Sequence, residues 1–419
     1  MLKTIKDITP IFQGYDEYTK DDNGKIILPR VPYEVNGKTL NVIVIYRKNT
    51  ISYGNGLIGL LDGTKIADND WVELRKRFVI QEEDGTQKFF WCIGGSDTGG
   101  LCNVSSYANA RTVYDTKTSD ITPVIDDATD YLYAYGHVNE ELIARGFATV
   151  YDKTVVKNNT VFFREDTGFM QANVDYLVDR TDENGNQEWY VLEIKSTNPN
   201  STTLRDYFKQ ETVPPYYYTQ TLHYSAVLGA AFPIKGFYFA VGYDNSLSNI
   251  IGVKFDRDEA AEKELMEVEY NLISNIRGQV PPALTDGVIL PERLKNNIEK
   301  LFPMAVEKST FDLSESGVSA VQKIQQLQEE QKTAKKALDE IEREIEKERC
   351  ILINEIGENE ESTPFTIEGQ KYFVSYPNSK RVTIDSKILK DRFPNVYEQV
   401  KRENYSRRLS IKKAKVSKK

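Results

Sequence analysis

Cysteine and histidine are scarce: 419 residues carry three cysteines, Cys92, Cys102 and Cys350, and two histidines, His137 and His223. The cysteines lack metal-ligand spacing, and an iron-sulfur cluster needs four thiolates, so one chain excludes that cofactor. A sparse, odd set suits a reducing compartment. Two histidines argue against His-rich zinc sites, and no serine has the nucleophile-elbow context of a Ser-His-Asp hydrolase. Long apolar runs are also missing. The longest, 226–241, is broken by Pro233 and Lys235, and no stretch is expected to span a membrane. The first residues, M-L-K-T-I-K, lack the apolar core of a signal peptide, so the expected location is the cytoplasm. A net charge of -9 argues against wholesale polyanion binding, while a local basic groove depends on how charge is distributed. Length allows two or three domains.

What is present centres on residues 161–195. Two strand-like runs, 174–178 and 189–194, flank a polar segment at 181–187 whose Asn-Gly step marks a β-hairpin. Asp175, Glu193 and Lys195 lie in otherwise apolar runs, where an unpaired charge is costly. Glu193 and Lys195 are two residues apart, so on a strand they project from one face, and hairpin pairing brings Asp175 beside them. A hard cation such as Mg2+ is held by oxygen ligands of this kind. It relieves the repulsion between the carboxylates, while Lys195 orients or helps to deprotonate a water. For E-x-K alone, a structural ion pair on a half-exposed strand is the commoner meaning of the spacing.

Residues 1–65 read as β-rich and turn-rich, with 39–46 the clearest strand. A helix is expected over 69–77, capped by Asn69 or Asp70. It ends in Arg75, Lys76 and Arg77, a basic cluster that suits a solvated helix end or phosphate binding equally. After a hairpin near 83–85, a Gly-Gly-Ser-Asp turn from Gly94 to Asp97 opens a helix, where free N–H groups and the Ser96 hydroxyl can meet an anion. The segment 135–145 reads as a helix carrying Glu140. Pro214 marks another helix start, with Gln220 and Tyr224 on one face at i, i+4. Strands at 236–243 and 250–255 and a helix over 258–276 complete this unit.

From Ala320 onward, Ala320, Ile324, Leu327, Gln331, Ala334, Leu338, Ile341, Ile345, Glu348 and Leu352 follow four-three spacing. That is the pattern of a long helix packing on another, within the chain, on a neighbouring subunit or on another protein. Residues 363–400 read as a small hairpin plus helix. The tail, 401–419, carries nine Lys/Arg against one acidic residue and could add nonspecific phosphate contacts.

Taken together, G-x-x-x-E (Gly136, Glu140), Asp175, E-x-K (Glu193, Lys195) and Q-x-x-x-Y (Gln220, Tyr224) stand in the order of the PD-(D/E)xK nucleases of the RecB-like branch. With the run 93–97 and the phrase Pro214, Tyr217, Gln220, residues 66–285 resemble the YqaJ-type viral recombinases, the lambda exonuclease-like family. The resemblance implies an α/β fold, a restriction-endonuclease-like core with a mixed central sheet flanked by helices. It implies this core at 66–285, after a β-rich extension at 1–65 and before a linker at 286–313, a long helix or coiled coil at 314–356 and a small C-terminal module with a basic tail at 357–419. Metal ligands would be Asp175, Glu193, the Ile194 carbonyl and Glu140, with Glu165 for a second ion. Lys195 would position the attacking water, Gln220 would orient the site with Tyr224 behind it, and Ser96 with Arg75, Lys76 and Arg77 would serve the 5' phosphate end.

The implied activity is Mg2+-dependent DNA exonuclease action, 5'-to-3' on double-stranded ends, with Mn2+ as a substitute ion. Its setting would be phage recombination in a bacterial host, beside a single-strand annealing protein, with room for a homo-oligomer. An endonuclease or structure-specific nuclease of the same fold, and a non-catalytic DNA-binding scaffold, are the alternatives. Val174 stands where the family has proline, His137 where many members have arginine, and no basic residue precedes Ile93. The last departure bears on polarity more than on cleavage.

Overall fold

The computed structural model describes residues 2–120, 127–197, 206–208, 210–243, 246–302, 309–359, 361–377 and 386–400, so the basic tail lies outside the described residues. The chain divides into two compact units, 1–305 and 306–419.

The first unit is mixed α/β. Its largest sheet has six strands in the order Lys6–Asp7, Thr154–Lys157, Tyr176–Thr181, Gln187–Ser196, Ile234–Gly242, Ile250–Asp256. Tyr176–Thr181 and Gln187–Ser196 form the expected antiparallel hairpin, with Tyr176 opposite Leu192. Gln187–Ser196 and Ile234–Gly242 run parallel, which requires a crossover, and the helix Pro215–Leu228 lies within it. Both sheet faces are covered. Tyr176, Val178, Tyr190, Leu192 and Ile194 pack against Ile143, Ala144 and Phe147 of the helix Asp127–Val150. The alternate residues Leu177 and Val191 share a core with Ala226 and Val227 on the opposite side. Gly252 lets the first helix approach closely, since a Cβ there would lie 2.6 Å from the Phe147 ring.

A five-stranded sheet is ordered Ile93–Gly94, Met170–Asn173, Thr160–Arg164, Leu57–Asp62, Ile51–Gly54. A four-stranded sheet comprises Arg30–Val35, Lys38–Tyr46, Arg77–Gln81 and Gln87–Trp91. Leu57–Asp62 pairs with Thr160–Arg164, and Lys6–Asp7 with Thr154–Lys157. Residues 1–65 are therefore woven into this unit rather than standing apart as an extension.

Three local expectations change. The helix expected over 69–77 is Asp68–Leu74, capped by neither Asn69 nor Asp70; its N-cap is Ala67. Asp70 instead accepts hydrogen bonds from Leu28 N at 2.7 Å and Arg30 Nη2 at 2.6 Å, so a tertiary ion pair outcompetes the cap. The helix around Glu140 runs well past 135–145, over Asp127–Val150. In the second unit, the helix Glu315–Ile356 precedes the hairpin Phe365–Ile367/Gln370–Tyr372 and two short helices, Ser386–Arg392 and Pro394–Val400, rather than one. Pro394 disfavours helical backbone at Phe393 and separates them. Among the described residues no helix is long and apolar enough to cross a membrane.

Candidate active site

The chain leaves the strand Met170–Asn173 of one sheet and enters Tyr176–Thr181 of the other through Val174 and Asp175. Val174 is buried at this corner. The Asp175 carbonyl accepts from Asn158 N at 2.9 Å, and Asn173 Nδ2 donates to its carboxyl at 3.1 Å. Extending the register by one residue sets Asp175 beside Glu193. Glu193 and Lys195 project together from the Val191 side, while Leu192 and Ile194 turn into the opposite core, as period-two alternation requires. Lys195 Nζ forms an ion pair with Glu193 and lies 5.2 Å from the Tyr217 ring centre.

Two helices complete the cleft. Gln220 Nε2, on Pro215–Leu228, donates to Glu193 Oε1 and to the Tyr224 hydroxyl, both at 3.0 Å. From Asp127–Val150 come Gly136, His137 and Glu140. The enclosed space, about 400 Å3, is lined by Glu140, Asp175, Glu193, Lys195, Gln220 and Tyr224 together with the Ile194 backbone position. Four separate motifs thus converge on one cleft.

Electrostatics there are frustrated. Burial, then the neighbouring Asp175 and Glu193 carboxyls, push Glu140 up to about 9, and its carboxyl hydrogen-bonds Asp175. Burial also raises Asp175, against the pull of Glu140, Lys195, Lys157 and His137. Glu193 is raised by burial and held back by Lys195. Burial would lower Lys195, but Glu193 more than offsets it and the ammonium is retained. At neutral pH Glu140 and Asp175 therefore share a proton.

This donor set suits a hard divalent cation. Glu140, Asp175, Glu193 and the Ile194 carbonyl are the oxygens that would hold such an ion, and binding it would release the Glu140 proton to solvent. Among the described residues no three His, Cys, Asp or Glu side chains are already gathered as an ion-holding group. A cation here would draw on waters or substrate oxygens besides one or two carboxylates, as Mg2+ commonly does.

Other expected residues lie elsewhere. Glu165 follows the Arg164 end of the Thr160–Arg164/Met170–Asn173 hairpin, and Asp175 follows the opposite, Asn173 end. The Glu165 carboxyl is held by Arg47 (Nη1 at 3.0 Å), so it is no ligand for a second ion beside Asp175. Lys76 and Arg77 are buried rather than offered to phosphate. Lys76 Nζ bonds Glu73 at 2.7 Å, and Arg77 bonds the Lys117 carbonyl at 3.0 Å and pairs with Asp120. Arg75, half-buried, donates to the Ser96 hydroxyl. The anion seat of the turn is filled from within: Asp97 Oδ2 accepts from Gly94 N at 2.8 Å and pairs with Lys117 Nζ at 2.6 Å. Burial opposes that charge, but Lys117 and Arg75 overcome it and hold Asp97 below the usual carboxylate range.

Asn173, Lys157 and Tyr217 touch or bias the trio although sequence spacing assigns them no role. Asn173, two residues before Asp175, and Tyr217, in the phrase Pro214, Tyr217, Gln220, carried a local signal; Lys157 carried none.

Residues 70–231 match the family model described as the YqaJ-like viral recombinase domain. "Uncharacterized protein YqaJ" of Bacillus subtilis (strain 168) is 24% identical over 339 residues, covering 81% of this chain and 94% of that protein. Among solved structures, an alkaline exonuclease (LHK-Exo) from Laribacter hongkongensis overlaps with 18% identity and a TM-score of 0.35, covering 50% of this chain and 94% of that one. Its complex with dAMP overlaps with 17% identity and a TM-score of 0.34 over the same shares. The matched segment contains Glu140, Asp175, Glu193, Lys195, Gln220 and Tyr224, so the residues lining the cleft fall within the part of this chain that is similar to the YqaJ-like viral recombinase domain.

Proposed function

We propose that residues 66–285 form a PD-(D/E)xK-type deoxyribonuclease that hydrolyses phosphodiester bonds with Mg2+, or Mn2+ in its place, resecting double-stranded DNA ends 5'-to-3' in phage-type recombination. The observation that carries this reading is the convergence of Asp175, Glu193 and Lys195 with the helix-borne Glu140 and Gln220 on one cleft. The family description, viral recombinase, supports the recombination setting, and resected ends in that setting would be handed to a single-strand annealing protein.

When bound, the cation would polarise the scissile phosphate and offset its charge. Glu140, Asp175, Glu193 and the Ile194 carbonyl would hold it. Lys195, kept protonated by Glu193, directs an N–H at the water that attacks in line and at the charge growing on phosphate. Gln220 fixes Glu193 through its 3.0 Å hydrogen bond, which leaves the other carboxyl oxygen for the ion. Tyr217 and Tyr224 shield the ammonium and amide from bulk water, strengthening these interactions.

Digestion of end-labelled linear duplexes, with and without a 5' phosphate, across a Mg2+ titration tests the reading. The expected result is release of mononucleotides from linear ends, nothing from closed circles and silence in EDTA. Cutting of closed circles would assign the same site to an endonuclease. Full activity without a divalent ion would overturn the metal mechanism.

A further inference from the structure

The helix Glu315–Ile356 carries a line of apolar side chains into solvent. Leu327, Leu338, Ile341, Ile345 and Leu352 are all exposed, Ile341 at 57%. They lie on one seam: the four-three spacing puts Ile324, Gln331, Leu338, Ile345 and Leu352 at heptad position a, so that Leu327 and Ile341 fall at d. A helix of 42 residues is about 63 Å long, far beyond what local propensity alone would fix with such a seam left wet.

We infer that this helix pairs with the same helix of a second copy of the chain, as a parallel, in-register, two-stranded coiled coil. The flanking charges select that occupant. In a parallel pair each g residue faces the partner's e residue five positions on. Glu330 then meets Lys335 of the partner subunit, and Glu344 meets Arg349 of the partner subunit. The remaining g–e combinations, Lys323 with Gln328, Ala337 with Glu342 and Ile351 with Ile356, contain no like-charge contact.

Turned antiparallel over the same overlap, Glu330 would face the partner's Glu344, and Lys335 would face the partner's Lys335. Like charges set opposite each other disfavour that arrangement. Gln331 is polar at an a position. Only in register does it meet the partner's Gln331 and satisfy its amide, and a polar group there specifies alignment and strand number at some cost in stability. Cys350 falls at f, on the outer face, so the seam does not depend on its redox state.

The test uses the full chain. Light scattering at micromolar concentration is expected to give twice the 47.9 kDa chain mass. Joint Leu338→Glu and Ile341→Glu substitution is expected to return it to one chain mass, with the melting of residues 1–305 unchanged. In a Cys350→Ser chain, Ala320→Cys sits at a d position well away from the helix midpoint, so mild oxidation links two chains only if the helices run parallel and in register. The Cys350→Ser parent is expected to stay unlinked. A monomer or a trimer overturns the proposal, as does a dimer that survives the Glu substitutions. A dimer that Ala320→Cys fails to link overturns the parallel alignment.

Discussion

Glu140 is a partly buried carboxyl set against two others, Asp175 and Glu193. Its ordinary value of 4.5 is pushed up to about 9 by burial and by Asp175 and Glu193, so folding takes up a proton between those limits. A carboxyl raised in this way gives stability that is fully present below its unfolded value and is lost as pH rises through its folded value. The metal-free protein is therefore expected to melt at progressively lower temperature from about pH 5 to pH 9, and Glu140→Gln is expected to flatten that slope. Under the proposed function, Mg2+ held by Glu140 and Asp175 would displace that proton, so the stabilisation it confers should grow across the same window; calorimetry in buffers of different ionisation enthalpy would detect the released proton. On the proposed mechanism, Lys195→Ala removes a group that acts on the transition state. Cleavage should fall by about 10²–10³-fold or more, with duplex affinity in a gel-shift assay nearly unchanged.

At the scale of elements, the helix Pro215–Leu228 is the part that must be placed correctly, because it delivers Gln220, Tyr217 and Tyr224. Two devices hold it. Gly95 allows the neighbouring helix Gly95–Leu101 to press against it; a Cβ there would fall 2.6 Å from Tyr224. Gly95→Ala is expected to cost about 1–3 kcal/mol in denaturant melts and to slow cleavage by shifting Gln220. On the other side, fully buried His223 bridges Glu269 at 2.7 Å and the Gln171 carbonyl at 2.9 Å. Burial lowers the affinity of His223 for its proton, but Glu269 more than compensates and the net shift is upward. The stability this pair contributes is fully present below about pH 6.5 and lost as pH rises through the higher folded value. Glu269→Ala lets burial drive the proton off His223 and leaves Nδ1 without its partner; it should cost about 1–3 kcal/mol near pH 6, measured by urea unfolding.

Across the whole chain, cleft residues and heptad residues belong to different compact units, 1–305 and 306–419. The first unit carries its own cores, in which strands from the first 65 residues pair with strands near 160. A chain ending at residue 305 is therefore expected to keep the main melting transition within a few degrees and to keep cleavage of linear ends, while losing self-association. Differential scanning calorimetry and light scattering on the shortened chain check both halves of that statement. Loss of the main transition would show that the first unit does not stand alone.

Local pattern was enough for the hairpin, because alternation and an Asn-Gly turn impose a register, and that register alone sets Asp175 next to Glu193. The i, i+4 placement of Gln220 and Tyr224 was legible for the same reason, as was the heptad seam. Long-range partnering was not. Glu165 has the right residue type at a suggestive spacing, yet Arg47, 118 positions away, takes it up. Lys76 and Arg77 look like a phosphate patch until Glu73, Lys117 and Asp120 bury them. The Gly94–Asp97 turn looks open to an anion until its own Asp97 caps it. Sequence alone determined which backbone periods form and which side chains share a face, since those follow from strand and helix geometry within a few residues. Only the tertiary structure decided which charges remain free for chemistry, because a buried charge takes the nearest opposite partner in space, and that partner need not be near in the chain.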